Sequence, residues 1–283
     1  MIQNKIKIDG QTSLIAHLGV PTFSFRSPAI YNPWFASKGI NCVVVPMGCE
    51  TDNFPRLLPE LFALRNIVGA LITMPHKQSV MSLLADVSEA VKICGACNAV
   101  KKDAQGRLVG DMFDGEGFTR GLKSKGHSIV GKSALVIGCG GVGSAIAASL
   151  GKEGVARLNL YDPNSASADN LAKRLRQSYS KLTVQTGTNS TAGHDILVNA
   201  SPLGMKDEDP LPMDLSQAKS SAFVGEVVLS REITPLLAQA RAKGMTIQVG
   251  TDMLFEQIPA YLEYFGFPSA TAEELRRYSQ IEY

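Results

Sequence analysis

Long apolar runs are missing from this chain: none of its 283 residues lies in a stretch reaching the roughly 18 that a membrane-spanning helix needs. The apolar core of a secretory signal is missing as well. Met1–Gly10 is polar and carries Lys5, Lys7 and Asp9, so a cytoplasmic protein with no membrane partner is expected. There is no basic excess. The formal net charge is +2 and no Lys/Arg cluster stands out, which argues against a nucleic-acid partner. Cysteine is sparse and odd in number, with five residues at Cys42, Cys49, Cys94, Cys97 and Cys139; that is no disulfide framework. Cys94 and Cys97 form a C-x-x-C. No second C-x-x-C accompanies it, and His17, His76, His127 and His194 are scattered. Two small buried thiols and no metal site are expected. Internal repeats and low-complexity segments are also absent.

Hydrophobic residues make up 45% of the chain and charged residues 19%. That is enough apolar material for two modest cores. Val43–Met47 and Val68–Met74 are β-branched runs that read as buried strands, and Leu57–Arg65 between them has helical spacing. This alternation predicts a parallel sheet covered on both faces. Gly121–Lys132 is polar, and Ala134–Ile137 then forms a tight apolar strand. The domain boundary is therefore placed near residue 118. Beyond it come strand-like Arg157–Tyr161, Thr183–Thr186, Asp195–Val198, Ala222–Val228 and Thr246–Val249, with helical Ala168–Leu175 among them. That pattern predicts a doubly wound nucleotide-binding domain over 118–250. Met253–Phe265 and Glu273–Tyr278 read as closing helices.

Directly after the strand Ala134–Ile137 stands Gly138-Cys139-Gly140-Gly141-Val142-Gly143, a G-x-G-x-x-G, and a helix-forming run Ser144–Leu150 follows. The first glycine permits the tight turn, the second lets the backbone approach a pyrophosphate, and the third allows helix–strand packing. The helix start offers unpaired N–H groups to the phosphates. The motif alone is weak, but here it has its strand, its helix and an acid. Asp162 ends the next strand, on the order of 20 residues past the glycines. A carboxylate there suits the ribose hydroxyls of NAD and repels the 2′-phosphate of NADP. The next residues, Pro163, Asn164 and Ser165, offer no arginine. NAD is the expected cofactor and NADP the less favoured one.

Three polar patches end apolar segments, where α/β sheets build sites. They are Thr73-Met74-Pro75-His76-Lys77, Gly95-Ala96-Cys97-Asn98-Ala99-Val100 and Gly110–Gly117, which contains Asp114. With these the chain resembles the shikimate dehydrogenase family. Leu71–Lys77 is similar to the family's N-V-T-x-P-H-K, Gly95–Ala99 to G-A-x-N-T, and Gly110–Gly117 to G-x-N-T-D-G-x-G. Asn199–Met205 resembles N-A-T-P-x-G-M, Thr234–Leu237 resembles T-P-L-L, and Gly250–Gln257 resembles G-x-x-M-L-x-x-Q. The matches run in family order over nearly the whole chain.

The resemblance implies an N-terminal α/β substrate domain, 1–117, completed by C-terminal helices in 251–283, and a Rossmann NAD(P)-binding domain between. It implies Lys77 and Asp114 as the catalytic pair. A proton must move as the hydride moves between alcohol and ketone; a lysine can donate to the developing alkoxide, and an aspartate beside it can orient the amine. It implies Ser27, Thr73, Asn98 and Gln257 as substrate ligands. Asn199, Ala200, Ser201, Leu203, Gly250 and Met253 join the glycine loop as cofactor neighbours. His76 is read as packing or capping, not as catalytic.

The match breaks at the substrate. Phe25 stands where the family's first serine of S-x-S-P should be; Ser27 and Pro28 keep the second half. Leu71 replaces the asparagine before Thr73, Met112 and Phe113 replace the polar pair before Asp114, and the tyrosine of D-x-x-Y falls at Leu229. A pocket that loses polar partners should hold a polyhydroxy acid poorly. Arg26 is either a replacement partner for the carboxylate or a surface loop arginine. The expected activity is reversible hydride transfer between nicotinamide and a ring hydroxyl or ketone of shikimate, quinate or a related cyclic hydroxy acid. The alternative is a non-catalytic or weakly active NAD-binding sensor on the same fold. A monomer or homodimer is expected.

Overall fold

Ser13–Gly19 forms β1, and it is flanked in its sheet by two parallel neighbours, β2 (Cys42–Gly48) and β3 (Ile67–Ile72). The computed structural model describes residues 7–281; Met1–Ile6, with the polar start read at Lys5, and Glu282–Tyr283 lie outside the described residues. The chain divides into two compact units. One holds the described residues up to Val91, Gly95–Phe113 and those from Ile258 on; the other holds Lys92–Cys94 and Asp114–Gln257.

The first unit continues through β4 (Asp86–Val87), β5 (Ala99–Lys102) and β6 (Leu108–Asp111). Its helices are α1 (Pro28–Ser37) and α2 (Phe54–Leu61), with α3 (Glu89–Cys94) bordering it. The strand order is β2-β1-β3-β5-β6-β4. This sheet is mixed rather than parallel, because β5 runs antiparallel to both β3 and β6. The cause is local. Residues 103–107 form a tight hairpin whose Gly106 has φ +78, and hairpin-joined strands must be antiparallel. The helix expected over Leu57–Arg65 begins earlier and ends at Leu61. Pro55 starts it, and Phe54, Leu58 and Leu61 form its buried stripe. Leu64 is left 54% exposed. Trp34, Tyr31, Phe35, Phe54 and Phe62 are the bulkiest fully buried side chains of this unit.

The second unit runs α4 (Asp114–Ser124), β7 (Ser133–Ile137), α5 (Gly141–Lys152), β8 (Arg157–Tyr161), α6 (Ser165–Ser178), β9 (Thr183–Thr186), β10 (Ile196–Asn199), β11 (Phe223–Glu226), α7 (Pro235–Ala242), β12 (Thr246–Gln248) and the first half of α8 (Gly250–Tyr264), whose residues from Ile258 on count with the first unit. A last helix, α9 (Ala272–Tyr278), belongs to the first unit. The sheet order is β12-β11-β10-β7-β8-β9, all parallel. This is the doubly wound Rossmann arrangement, with its switch point between β7 and β10. The continuous apolar run of β7 is explained by its two covered faces. Val136 packs in a cluster with Ile146, Leu150, Leu171 and Leu175, while Leu135 and Ile137 pack in another with Leu197, Leu236 and Leu237. Each fully buried leucine contributes roughly 1.5–3 kcal/mol.

Residue 118, near which the boundary is expected, lies within α4. Helix α4 packs as part of the second unit through two glycines. A Cβ on Gly115 would run into the Ala145 carbonyl of α5. One on Gly117 would meet the Met253 carbonyl oxygen at 2.6 Å and Gln257 Cβ at 2.7 Å in α8. The two glycines after Asp114 therefore have a packing reason. The return at residue 251 is displaced in the same way: Gly250–Gln257 stays with the second unit. All five cysteines are free and buried, among them Cys94 and Cys97, the pair expected to be so. Among the described residues no cluster fits a metal ion, and no helix is long and apolar enough to cross a membrane.

Candidate functional site

In the second unit the glycine loop leaves β7 and the Asn199–Leu203 loop leaves β10, one on each side of the switch point. Gly138 has φ +95, and a Cβ there would lie 2.7 Å from the Ala200 carbonyl carbon and 2.8 Å from Ser201 N. A Cβ on Gly143 would overlap the Gly138 carbonyl oxygen and lie 3.2 Å from the Ala200 Cβ. These two glycines are fixed by close packing. Gly140 is different: nothing lies within 4 Å of a Cβ placed there. The loop presents open space at the point where a pyrophosphate needs it, next to the N-terminus of α5. Gly141 and Val142 open that helix. The donor set fits a dinucleotide. Asp162 follows β8, and its carboxylate accepts N–H from Cys139 at 2.8 Å and from Asn164 at 2.9 Å. Four lone-pair positions are available on an ionised carboxylate, so capacity remains for a ligand hydroxyl. Burial, then the Asp162 charge, pushes the Cys139 thiol up to about 12, which makes it unreactive.

Asn199 holds its own loop together. It is fully buried. Its amide donates to the Leu203 carbonyl at 2.9 Å, and its oxygen accepts from Ser201 N at 3.1 Å and Ser201 Oγ at 2.7 Å. The amide also acts on Glu226. Its hydrogen-bonding capacity is engaged within the unit, so it shapes the loop that carries Ala200, Ser201 and Leu203. Met253 is 5% exposed and belongs to the core. A Cβ on Gly250 would overlap the Val228 carbonyl oxygen, so this glycine seats α8 against the segment after β11. Glu226, which sequence reasoning did not single out, ends β11 with no exposure. It accepts from Thr234 Oγ1 at 2.9 Å, and Thr234 in turn caps α7. Burial pushes the Glu226 carboxyl up to about 7.

In the first unit Arg26 and Ser27 lie between β1 and α1, Thr73 and Lys77 follow β3, and Asn98 directly precedes β5. Ser27 is the N-cap of α1, and its hydroxyl makes no capping bond. Arg26 is half-buried, and its carbonyl accepts the Ala29 N–H. Thr73 N donates to the Leu18 carbonyl, and Val20 N donates to the Met74 carbonyl. The approach is so close that a Cβ on Gly19 would lie 2.5 Å from both the Met74 carbonyl and Thr73 Cγ2, and 3.2 Å from Phe25 Cζ. The Lys77 carbonyl accepts the Cys97 N–H at 2.7 Å. Asn98 is 1% exposed and accepts the Phe113 N–H at 3.0 Å. His76 packs flat on Phe54, with ring centroids 4.0 Å apart, and bonds the Cys49 carbonyl at 2.7 Å.

Asp114 is the first residue of α4, 4% exposed. A carboxylate at a helix start is favoured by the aligned peptide dipoles. Gln257, in α8, is 7% exposed, and its Oε1 is sealed without a partner. Sequence reasoning passed over one buried polar residue of the first unit. His17 lies in β1, stacked on Phe25, and feels the charge of Lys77. The signal was available: a histidine interrupts an otherwise apolar Leu14–Leu18.

Residues 18–100 match the family described as shikimate dehydrogenase substrate binding domain. The shikimate dehydrogenase (NADP(+)) of Rhodospirillum rubrum is 32% identical over 281 residues, covering 95% of this chain and 97% of that protein. Shikimate 5-dehydrogenase from Listeria monocytogenes, solved with shikimate and NAD, superposes with a TM-score of 0.88 at 25% identity, covering 96% of this chain and 97% of that one. Quinate dehydrogenase from Corynebacterium glutamicum, solved with NAD, superposes with a TM-score of 0.84 at 28% identity, covering 94% of this chain and 98% of that one.

Proposed function

The chain belongs to the shikimate dehydrogenase family, and on that premise we propose that it is an NAD-preferring dehydrogenase of shikimate, quinate or a related cyclic hydroxy acid. The observation that carries the cofactor reading is Asp162 at the end of β8, with no cationic neighbour in Pro163, Asn164 or Ser165. Its relatives differ on this point: the Rhodospirillum rubrum enzyme is named for NADP(+), and the quinate dehydrogenase was solved with NAD.

Gly138–Gly143, Asp162 and the Ala200–Leu203 segment would hold the dinucleotide. Bound there, the nicotinamide supplies or takes up the hydride. Lys77 donates a proton to the alkoxide as it forms and recovers it in the reverse direction, and Asp114 orients the lysine. Ser27, Thr73, Asn98 and Gln257 would hold the substrate's oxygens, with Arg26 toward the carboxylate. Asn199 acts indirectly, by ordering the loop. The same reading places the enzyme in the cytoplasm, as a monomer or homodimer.

The test is a panel of cyclic hydroxy acids with NAD and with NADP, followed by the appearance of reduced nicotinamide. Turnover of at least one acid, faster with NAD, is the expected result. Tight NAD binding without turnover of any acid would point to a sensor instead.

A further inference from the structure

His17 is buried without the partner that a buried polar side chain normally has. It sits in β1 at 7% exposure, and its Nδ1 is enclosed with no hydrogen bond. The ring lies on Phe25, centroids 4.0 Å apart and planes 22° from parallel. Its register partner on the parallel strand β3 is Leu71, and paired residues on neighbouring strands project to the same face. His17 therefore stands between the two positions where apolar side chains have replaced polar ones. Burial first, and then the nearby positive charge of Lys77, push its pKa down to about 3. The imidazole is neutral near pH 7, so one nitrogen carries a proton and the other is a bare acceptor. An enclosed N–H without an acceptor is rarer than an under-used acceptor. The proton therefore belongs on Nε2, the nitrogen not sealed in.

We propose that His17 is a specificity-determining residue of the substrate site, its Nε2–H donating a hydrogen bond to an oxygen of the hydroxy acid beside Lys77. The proposal rests on the reading of Lys77 as the proton donor. It also narrows the substrate class. One donor from His17 serves where residues 25 and 71 now offer only an aromatic face and an aliphatic branch. The acid that fits presents one oxygen to His17 and an unsubstituted ring edge to Phe25 and Leu71. A more heavily hydroxylated ring would leave hydroxyls unpaired against that wall, which is costly in a closed site.

The experiment compares the native enzyme with His17→Leu and His17→Gln, the second of which keeps an amide donor near the Nε2 position. With the best acid of the panel, His17→Leu should raise KM roughly tenfold or more. Its kcat should stay within a few-fold of native and its KM for NAD should not move. His17→Gln should recover part of the loss. Nitrogen NMR of the native protein should show the neutral Nε2–H tautomer, with a signal that shifts as the acid is added; this readout stands even if His17→Leu fails to fold. An unchanged KM in folded His17→Leu, or a His17 signal indifferent to saturating acid, overturns the proposal. Turnover lost in Lys77→Ala with the His17 signal still responding supports both readings. Turnover with no response at His17 removes this proposal alone. A response at His17 with no turnover of any acid removes the dehydrogenase reading and keeps the binding role.

Discussion

The Asp162 carboxylate accepts the backbone N–H of Cys139 at 2.8 Å, so the residue read as the ribose partner also ties the glycine loop to the end of β8. The two roles can be separated by mutation. Asparagine keeps an oxygen acceptor for Cys139; alanine does not. The native enzyme should favour NAD over NADP by at least about tenfold in kcat/KM, equivalent to about 1.4 kcal/mol. Asp162→Asn with Pro163→Arg should erode or reverse that ratio with little change in Tm. Asp162→Ala should lower Tm as well and weaken both cofactors. Equal or better use of NADP by the native protein refutes this role for Asp162.

Shikimate should be a slow substrate or one with a high KM, because Phe25 and Leu71 withdraw polar partners from it. Phe25→Ser with Leu71→Asn should improve kcat/KM for shikimate. Kinetics of the two proteins side by side decide the point. High native efficiency with shikimate would mean that the pocket has been misread.

Glu226 gives a pH dependence of stability with a definite sign. Its carboxyl is raised from 4.5 to about 7 by burial, against the opposing effects of Thr234, Asn199 and Arg231. The folded state therefore keeps a proton that the unfolded state has lost. The neutral form's full benefit is present below about pH 4.5, and stability falls as pH rises through the window up to about 7. The loss amounts to about 3 kcal/mol in total. Glu226→Gln cannot titrate, so the Tm difference between variant and native should grow in the variant's favour from about pH 5 to about pH 8. Parallel Tm curves for the two proteins would show that Glu226 is already ionised in the fold.

The second unit was legible because its signals are local. A continuous apolar strand, a glycine turn, a helix and an acid follow one another in sequence, and the strands after them are separated by regular helices. The first unit was harder. Its strands β5 and β6 are four residues each and overlap polar patches that drew attention as chemistry. The antiparallel turn between them followed from Gly106, which was not read. Strand β1 escaped because His17 breaks its apolar run. The boundary was placed near residue 118 from the polar Gly121–Lys132 stretch that follows it; the close packing of Gly115 and Gly117, which keeps α4 with the second unit, leaves no local signal in the sequence. Asn199 was read as a ligand because the motif carries it, and only the hydrogen bonds show that its amide serves the loop.

The most direct test of the account is the rate of nicotinamide reduction by native enzyme and by Lys77→Ala with one accepted hydroxy acid, alongside NAD affinity for both. A positioned proton donor typically supplies roughly 10²–10⁴-fold, so the variant should be slower by that factor with NAD affinity nearly unchanged. Equal rates in the two proteins, or no reduction by the native protein with any acid of the panel, would contradict it.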